Sequence, residues 1–128
     1  MASIFTRIVQ GEIPCHKIAE TEGYLAFLDI NPIVKGHVLC IPKKEIDYIF
    51  DLDDDTLGGL MVFAKQVAKK IEAVIPCKRV GVMVIGTEVP HAHVHLIPFA
   101  VESEIDITRP KLKLSQEELA SIAAQIRG

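Results

Sequence analysis

Three histidines alternate with apolar residues in the segment HAHVHLIP at 91–98, where one residue separates His91 from His93 and His93 from His95. In a strand, alternate side chains point to the same face, so the pattern predicts a row of imidazoles with neighbours about 6.5–7 Å apart. An imidazole can act as a nucleophile, carry a proton near neutral pH or bind a metal ion. Because buried imidazoles require polar partners, three in one row indicate a functional site rather than core.

Zinc binding is one alternative for this row. Two histidines separated by one residue on a strand can place two nitrogens on one ion, and a third ligand can come from another segment. The spacing permits a metal site without requiring one.

Composition limits the classes of function. The 128 residues, 49% of them hydrophobic, predict one domain over 1–128 with a substantial core. A formal net charge of -3 provides no basic field for nucleic acid. No apolar run is long enough for a membrane span or an export signal, so we expect a cytoplasmic protein without a membrane partner. The three cysteines, at 15, 40 and 77, are far apart and are predicted to be reduced.

Hydrophobic periodicity and turn residues predict the elements that position the histidines. Helices are expected from Ser3 to about Gly11, from Asp53 to Ile75 and from Ser115 onward, and strands over 15–20, 24–30, 37–43, 79–86 and 91–99. The third strand is almost continuously apolar, which predicts a central position. The order favours an α+β fold, an antiparallel five-stranded sheet with the helices on one face.

The helix ends carry their own signals. The acidic triplet at 53–55 suits N-terminal capping better than metal binding, and Ser115 with Glu118 fits a capping box. Gly58 and Gly59 cost helix stability, so they predict close packing against another element.

Several separated segments together resemble the histidine triad family, in particular its small branch of nucleoside phosphoramidases. They are IFTRIVQGEIP at 4–14, LAFLDINP at 25–32, GHVLCIPKK at 36–44 and the alternating histidines followed by LIP. The resemblance runs from about Ser3 to Pro98. It implies the α+β fold of that family and a homodimer whose sheets join edge to edge.

The resemblance also implies a chemistry for the histidines. His93 would attack the α-phosphorus of a nucleoside 5'-phosphoramidate or related nucleotide conjugate, and water would hydrolyse the nucleotidyl-histidine intermediate. His95 would contact the phosphate and donate a proton to the leaving amine, while His91 and His37 would orient the row. For His37 alone, a structural role at the start of the third strand remains an alternative.

A purine nucleotide is the ligand that the resemblance implies, with no cofactor. Asp29 would accept hydrogen bonds from the ribose hydroxyls, because a carboxylate is an acceptor for both. Thr87 could donate to phosphate. Apolar residues would enclose the base, namely Ile4, Phe5, Phe27, Ile30 and Leu39. Taken alone, these apolar residues fit a plain core and Asp29 fits a turn. An apolar pocket separates adenine from guanine poorly.

The chain departs from the family pattern around the zinc ligands of some members. Ser3, Thr6 and Glu45 stand where zinc-bearing members carry two cysteines and a histidine. We therefore expect no structural metal, and a metal-dependent hydrolase becomes the third alternative.

A second departure is the short turn GTEVP at 86–90. It carries Glu88, whose carboxylate would repel phosphate and is expected to point to solvent. The segment between Val80 and His91 also lacks the asparagine that many phosphoramidases use. These features keep open a second class of function, a non-catalytic purine nucleotide-binding or interaction module.

Overall fold

The computed structural model describes residues 2–128 of the chain. These residues form three α-helices, α1 (Ile4–Val9), α2 (Asp54–Val74) and α3 (Gln116–Arg127), and five strands, β1 (Lys17–Glu20), β2 (Tyr24–Leu28), β3 (Val38–Pro42), β4 (Arg79–Met83) and β5 (Val94–Phe99). Short 3-10 turns lie at Ile49–Asp51 and Glu102–Ile105. The strands make one antiparallel sheet in the order β1-β2-β3-β5-β4. The predicted α+β fold is confirmed. Within residues 2–128, no helix has the length and apolar character needed to cross a membrane.

Strand β3 is the middle strand of the sheet, and every one of its residues is buried. Val38 and Cys40 belong to the larger core cluster, whereas Leu39 and Ile41 belong to a second, smaller cluster. Because alternate side chains point to opposite faces, the continuous apolar run reflects a strand that is covered on both sides.

The helices do not all lie on one face, which corrects the prediction. Helices α2 and α3 supply the larger cluster, which they share with one face of the sheet. Helix α1 covers the other face, where the Phe5 ring packs edge-on against Phe27 with centroids 5.5 Å apart. Six residues cannot cover a whole sheet face, so space remains beside α1 for a cavity.

The alternating histidines are not all in a strand. Strand β5 begins at Val94, and its pairing with β3 starts at Cys40 opposite Val94. Before that point the backbone leaves the sheet, since the Ala92 N–H donates to the carbonyl of Ile46. Only His95 therefore occupies the predicted strand, and the expected straight row of three is wrong.

The predicted N-terminal caps are present. The Ser3 hydroxyl accepts from the Thr6 N–H at 3.0 Å, and the Asp53 side chain caps α2 through Thr56. Ser115 and Glu118 form the expected capping box at α3. Each cap satisfies a backbone N–H that has no partner inside the helix.

The two glycines of α2 have different surroundings. A Cβ on Gly59 would lie 2.0 Å from the hydroxyl oxygen of Tyr24, whereas a Cβ on Gly58 would meet open space. The Tyr24 hydroxyl is held by a 3.0 Å hydrogen bond to the carbonyl of Thr56, and its ring stacks on Phe63. Close packing therefore explains Gly59 and not Gly58.

We expect opposite effects from the two Gly→Ala substitutions. Gly59→Ala should lower the free energy of unfolding by about 1–3 kcal/mol, because the new methyl displaces an anchored phenol. The matched control, Gly58→Ala, should raise it by up to about 1 kcal/mol through helix propensity alone. Urea unfolding of both variants measures the difference. Equal stability of the two variants would contradict the packing argument.

Candidate active site

A cavity of about 420 Å³ opens between α1, the sheet and four connecting segments. It is lined by ten of the eleven residues that the sequence predicts for the site. They are Ile4, Phe5, Phe27, Asp29, Ile30, His37, Leu39, Thr87, His93 and His95. Phe27 and Leu39 are buried, while Ile4 and Ile30 are about half exposed. The buried pair forms an apolar wall, and the exposed pair lies at the rim.

The tautomer of His93 is set by the backbone. Its Nδ1 lies 2.7 Å from the carbonyl oxygen of His91. A carbonyl can only accept, so Nδ1 carries the hydrogen and the neutral ring has its lone pair on Nε2. The Phe5 ring packs edge-on against this imidazole, with centroids 5.0 Å apart. In its neutral form, His93 therefore carries its lone pair on Nε2, and its ring is held in place by these two contacts.

The tautomer of His95 is set through His37. The Ile33 N–H donates to His37 Nδ1 at 3.2 Å, so the neutral His37 ring carries its hydrogen on Nε2. That Nε2 lies 2.9 Å from His95 Nδ1 and donates to it. In the neutral His95 ring the remaining hydrogen is then on Nε2. His95 is a hydrogen-bond donor where His93 is an acceptor.

Burial favours the uncharged forms of His95 and His37. Loss of hydration, followed by the neighbouring His37 and His93, lowers the pKa of His95 to about 4. Burial also lowers the pKa of His37, against the opposing charge of Asp29. The ring centroids of His93 and His95 lie 5.0 Å apart, so a ring with a free lone pair and a ring with an N–H donor are neighbours in the cavity.

His91 does not line the cavity. Its side chain is fully buried, and its Nε2 donates to the carbonyl of Pro42 at 2.7 Å. Its Nδ1 lies 3.0 Å from the Ser3 hydroxyl oxygen. The structure thus separates His91 from the other two histidines of the row. The contact of His91 with His93 Nδ1 is made by its backbone carbonyl and not by its ring.

Asp29 lies just after β2 and has two kinds of contact. Its Oδ1 accepts the Asn31 N–H at 2.8 Å, which is the turn role that the sequence allows. Its Oδ2 lies 3.6 Å from His37 Nε2, and the side chain lines the cavity. A turn role and a ligand role are therefore compatible in one side chain.

Comparison with known proteins gives the same family for most of the chain. The model of the HIT domain matches residues 10–100. The chain belongs to the histidine triad family. The adenosine 5'-monophosphoramidase hnt1 of Schizosaccharomyces pombe is 36% identical over 129 residues, which cover 98% of this chain and 96% of the relative. The adenosine 5'-monophosphoramidase HNT1 of Saccharomyces cerevisiae is 40% identical over 99 residues, covering 76% of this chain and 62% of the relative.

A solved structure of the histidine triad family extends the likeness to the fold. A HIT-like protein of Bartonella henselae, involved in cell-cycle regulation, superimposes with a TM-score of 0.85 at 29% identity. The match covers 98% of this chain and 93% of the other. The likeness therefore includes the segment after residue 100, for which the sequence motifs carried little information.

One group of side chains in this histidine triad protein is close enough to hold a metal ion. The candidate ligand atoms of Asp29, His37 and His95 lie within 4.8 Å of one another. A metal ion would need the lone pair of His37 Nε2, which would move the hydrogen to Nδ1. The N–H of Ile33 would then face a second hydrogen-bond donor and would lose its acceptor. The donor set fits a hydrogen-bonded pair of histidines better than a metal ion.

Two rim residues differ from what the sequence indicated. Glu88 is exposed, as predicted, but it also lines the cavity. Lys111 comes from the segment before α3, and the sequence does not predict it as a site residue. Among the lining residues of the described chain it is the only one with a permanent positive charge. The Leu112 N–H donates to the carbonyl of Pro32 and holds this segment against the loop after β2. No motif around Lys111 signals that contact.

The lowered pKa values predict how stability depends on pH. Unfolded imidazoles take up a proton near pH 6.5, whereas the native His95 does so only near pH 4. Between these values the unfolded state binds more protons, so stability falls as the pH falls and is unaffected by this group above about pH 7. We expect the free energy of unfolding in urea to decrease from pH 7 to pH 5.

Replacing one ring tests this assignment. His95→Gln should make the slope between pH 6 and pH 5 shallower by roughly 1 kcal/mol per pH unit. His16→Gln is the control, because His16 lies outside the cavity and contacts Gln116. An unchanged slope in His95→Gln would show that this ring does not stay neutral in the native state.

Proposed function

We propose that this protein is a purine nucleotide hydrolase that cleaves nucleoside 5'-phosphoramidates or related nucleotide conjugates through a nucleotidyl intermediate on His93. The observation that carries the proposal is the pair of opposite tautomers. His93 presents a lone pair and His95 presents an N–H in the same cavity. Two relatives named adenosine 5'-monophosphoramidase, at 36% and 40% identity, support the reaction class.

The first step forms a bond between His93 Nε2 and the α-phosphorus while the phosphorus–nitrogen bond breaks. The departing nitrogen takes the Nε2 proton of a His95 imidazolium, which is left as the neutral ring. Negative charge on the bound phosphate favours protonation of His95, which offsets the effect of burial on its pKa. In the second step water attacks phosphorus, the bond to His93 breaks, and the proton of the water returns to His95. Splitting the reaction replaces one difficult displacement by two easier ones.

The cavity offers places for each part of the nucleotide. The base would lie against Phe5 and the buried wall of Phe27 and Leu39. Asp29 retains acceptor capacity on Oδ2 for the ribose hydroxyls, since only Oδ1 is used by the Asn31 N–H. The Thr87 hydroxyl, at the rim, would donate to phosphate. An apolar wall recognises a purine by area and shape.

The alternative is a non-catalytic purine nucleotide-binding module. One observation favours it, because Glu88, within the turn that would face the phosphate, lines the cavity. Repulsion between two negative charges would weaken phosphate binding and slow the reaction. Binding of AMP without turnover or labelling would identify this alternative.

Two substrates distinguish the roles of His93 and His95. Adenosine phosphoramidate needs a proton on its leaving nitrogen, whereas an AMP ester of p-nitrophenol has a leaving group that departs as an anion. His95→Gln should reduce the rate of the first step, measured in a single turnover, by roughly 10²–10⁴-fold for the phosphoramidate and much less for the ester. His93→Ala should abolish turnover of both, because the nucleophile is missing.

The intermediate itself is measured by mass spectrometry after a rapid quench that avoids acid. Wild type should carry an AMP adduct on the peptide that contains His93, and His95→Gln should accumulate or retain it with the ester substrate. His16→Gln should behave as wild type. Turnover of either substrate by His93→Ala at the wild-type rate would exclude His93 as the nucleophile.

We also propose a homodimer formed through β4 and α2. Strand β4 is an edge of the sheet, and its Val82 is 55% exposed. Helix α2 carries Val62, which is 57% exposed, and Met61, which is 41% exposed. Exposed apolar side chains on an open edge strand are typical of a surface that pairs with another chain.

Sedimentation velocity tests the dimer. The mass derived for the wild-type protein should be twice the 14.1 kDa of the chain. Val62→Lys combined with Val82→Lys should shift the protein to monomer, because a buried unpaired charge is costly. Val101→Lys is the matched control, since Val101 is also 57% exposed but lies outside both elements. A monomeric wild type, or equal behaviour of all variants, would refute the proposed interface.

A further inference from the structure

Ser3, Thr6 and Glu45 form a hydrogen-bonded cluster around the ring of His91. Glu45 Oε1 accepts from the backbone N–H of Ser3 at 2.6 Å and from the Thr6 hydroxyl at 2.5 Å. The Ser3 hydroxyl oxygen lies 3.0 Å from His91 Nδ1, and that of Thr6 lies 3.3 Å away. Ser3 and His91 are both buried. The cluster connects the start of α1 to the segment that follows β3.

The positions of the hydrogens in this cluster follow from its acceptors. His91 Nε2 faces the carbonyl of Pro42 at 2.7 Å, so Nε2 carries the hydrogen and Nδ1 is an acceptor in the neutral ring. The carboxylate of Glu45 engages the Thr6 hydroxyl hydrogen, and hydrogen bonds from Thr6 and Ser3 lower the pKa of Glu45 to about 2. The hydroxyl that remains to donate to His91 Nδ1 is that of Ser3.

This arrangement reaches His93 through the backbone. The His91 carbonyl accepts from His93 Nδ1, and this bond decides which nitrogen of His93 faces the cavity. Residues 91–93 lie before β5, so the β3–β5 ladder does not hold this carbonyl in place. The carbonyl shares its peptide group with the Ala92 N–H, which donates to the carbonyl of Ile46, and the buried His91 ring, fixed at both nitrogens, anchors the residue from its side chain. Phe5 packs against both rings, with centroid distances of 5.9 Å to His91 and 5.0 Å to His93.

We propose that Ser3, held by Glu45, is a positioning residue for the nucleophile. Its hydroxyl fixes the tautomer and orientation of His91, whose carbonyl in turn fixes the tautomer of His93. The Ser3 hydroxyl thus holds His91 within a cluster of Ser3, Thr6 and Glu45, three positions where, by the family resemblance, other members place zinc ligands. The inference rests on the proposed function of His93, but its structural part concerns His91 and can be measured without substrate.

The test compares Ser3→Ala with variants that separate the hydroxyl from the helix cap. Ser3→Ala should lower kcat for adenosine phosphoramidate by about tenfold and change KM less than twofold, because a buried acceptor loses its donor. Ser3→Gly lacks the hydroxyl but weakens a helix cap by only a few tenths of a kcal/mol, so it should lose the same activity with little loss of helix stability. Ser3→Thr restores a hydroxyl and should recover most of kcat.

Ser115→Ala is the matched control. Ser115 caps α3 through a 3.0 Å hydrogen bond from the Glu118 N–H, the same contact that Ser3 makes with Thr6, but it has no imidazole partner. This variant should lose a comparable amount of cap stability and keep wild-type kcat. Loss of kcat in Ser115→Ala equal to that in Ser3→Ala would assign the effect to stability and overturn the proposal.

Imidazole ¹⁵N NMR gives a readout that a purely structural role would not move. In wild type, the His91 nitrogens should show a protonated Nε2 and an unprotonated, hydrogen-bonded Nδ1. In Ser3→Ala and Ser3→Gly, the His91 Nδ1 resonance should shift and the His93 tautomer should become mixed, while Ser3→Thr restores both. Unchanged His91 and His93 resonances in the hydroxyl-free variants would refute the proposal. A wild type with these tautomers but no turnover would refute the proposed function alone.

Discussion

The hydrogen bond between His93 Nδ1 and the carbonyl of His91 is the interaction on which the site depends. An imidazole has two nitrogens of similar basicity, and a partner that can both donate and accept would leave the choice between them open. A backbone carbonyl can only accept. The bond therefore leaves the lone pair on Nε2, the nitrogen that faces the cavity. The position of the proposed nucleophilic atom is thus set before a ligand binds.

A second backbone group sets the opposite tautomer for the neighbouring ring, that of His95. The Ile33 N–H can only donate, and through His37 it leaves His95 with an N–H toward the cavity. The difference between a proposed nucleophile and a proposed acid thus comes from two peptide groups in loops, not from the imidazoles themselves. Two identical side chains, two residues apart, acquire different chemistry because their backbone neighbours differ. Regular strand pairing could not do this, since it would engage those peptide groups in the ladder.

Periodicity was enough to predict the elements of the sheet and the two long helices. The apolar run of β3, the caps at Asp53 and Ser115 and the helical spacing in α2 are local signals, and the structure bears them out. The onset of β5 was not predictable, because it depends on the Ala92 N–H finding the carbonyl of Ile46 far away in sequence. Lys111 reaches the cavity through a loop path that no periodic pattern encodes. Most site residues were found by motif resemblance, and spacing alone would have placed His91 in the cavity.

Burial of neutral histidines lowers the stability of the native state at acidic pH and also sets the protonation state of the site. Each ring that resists protonation destabilises the native state at acidic pH, because the unfolded chain takes up the proton instead. The same resistance keeps His37 and His95 in the neutral forms that make the hydrogen bond between them. A bound phosphate counteracts part of the effect of burial on the pKa, since its negative charge favours protonation of the nearest ring. An anionic ligand would therefore raise the pKa of His95 from its value of about 4 in the free protein. The positive charge of Lys111 opposes that gain and the negative charge of Asp29 supports it, so the charges around the cavity set how strongly binding is linked to proton uptake.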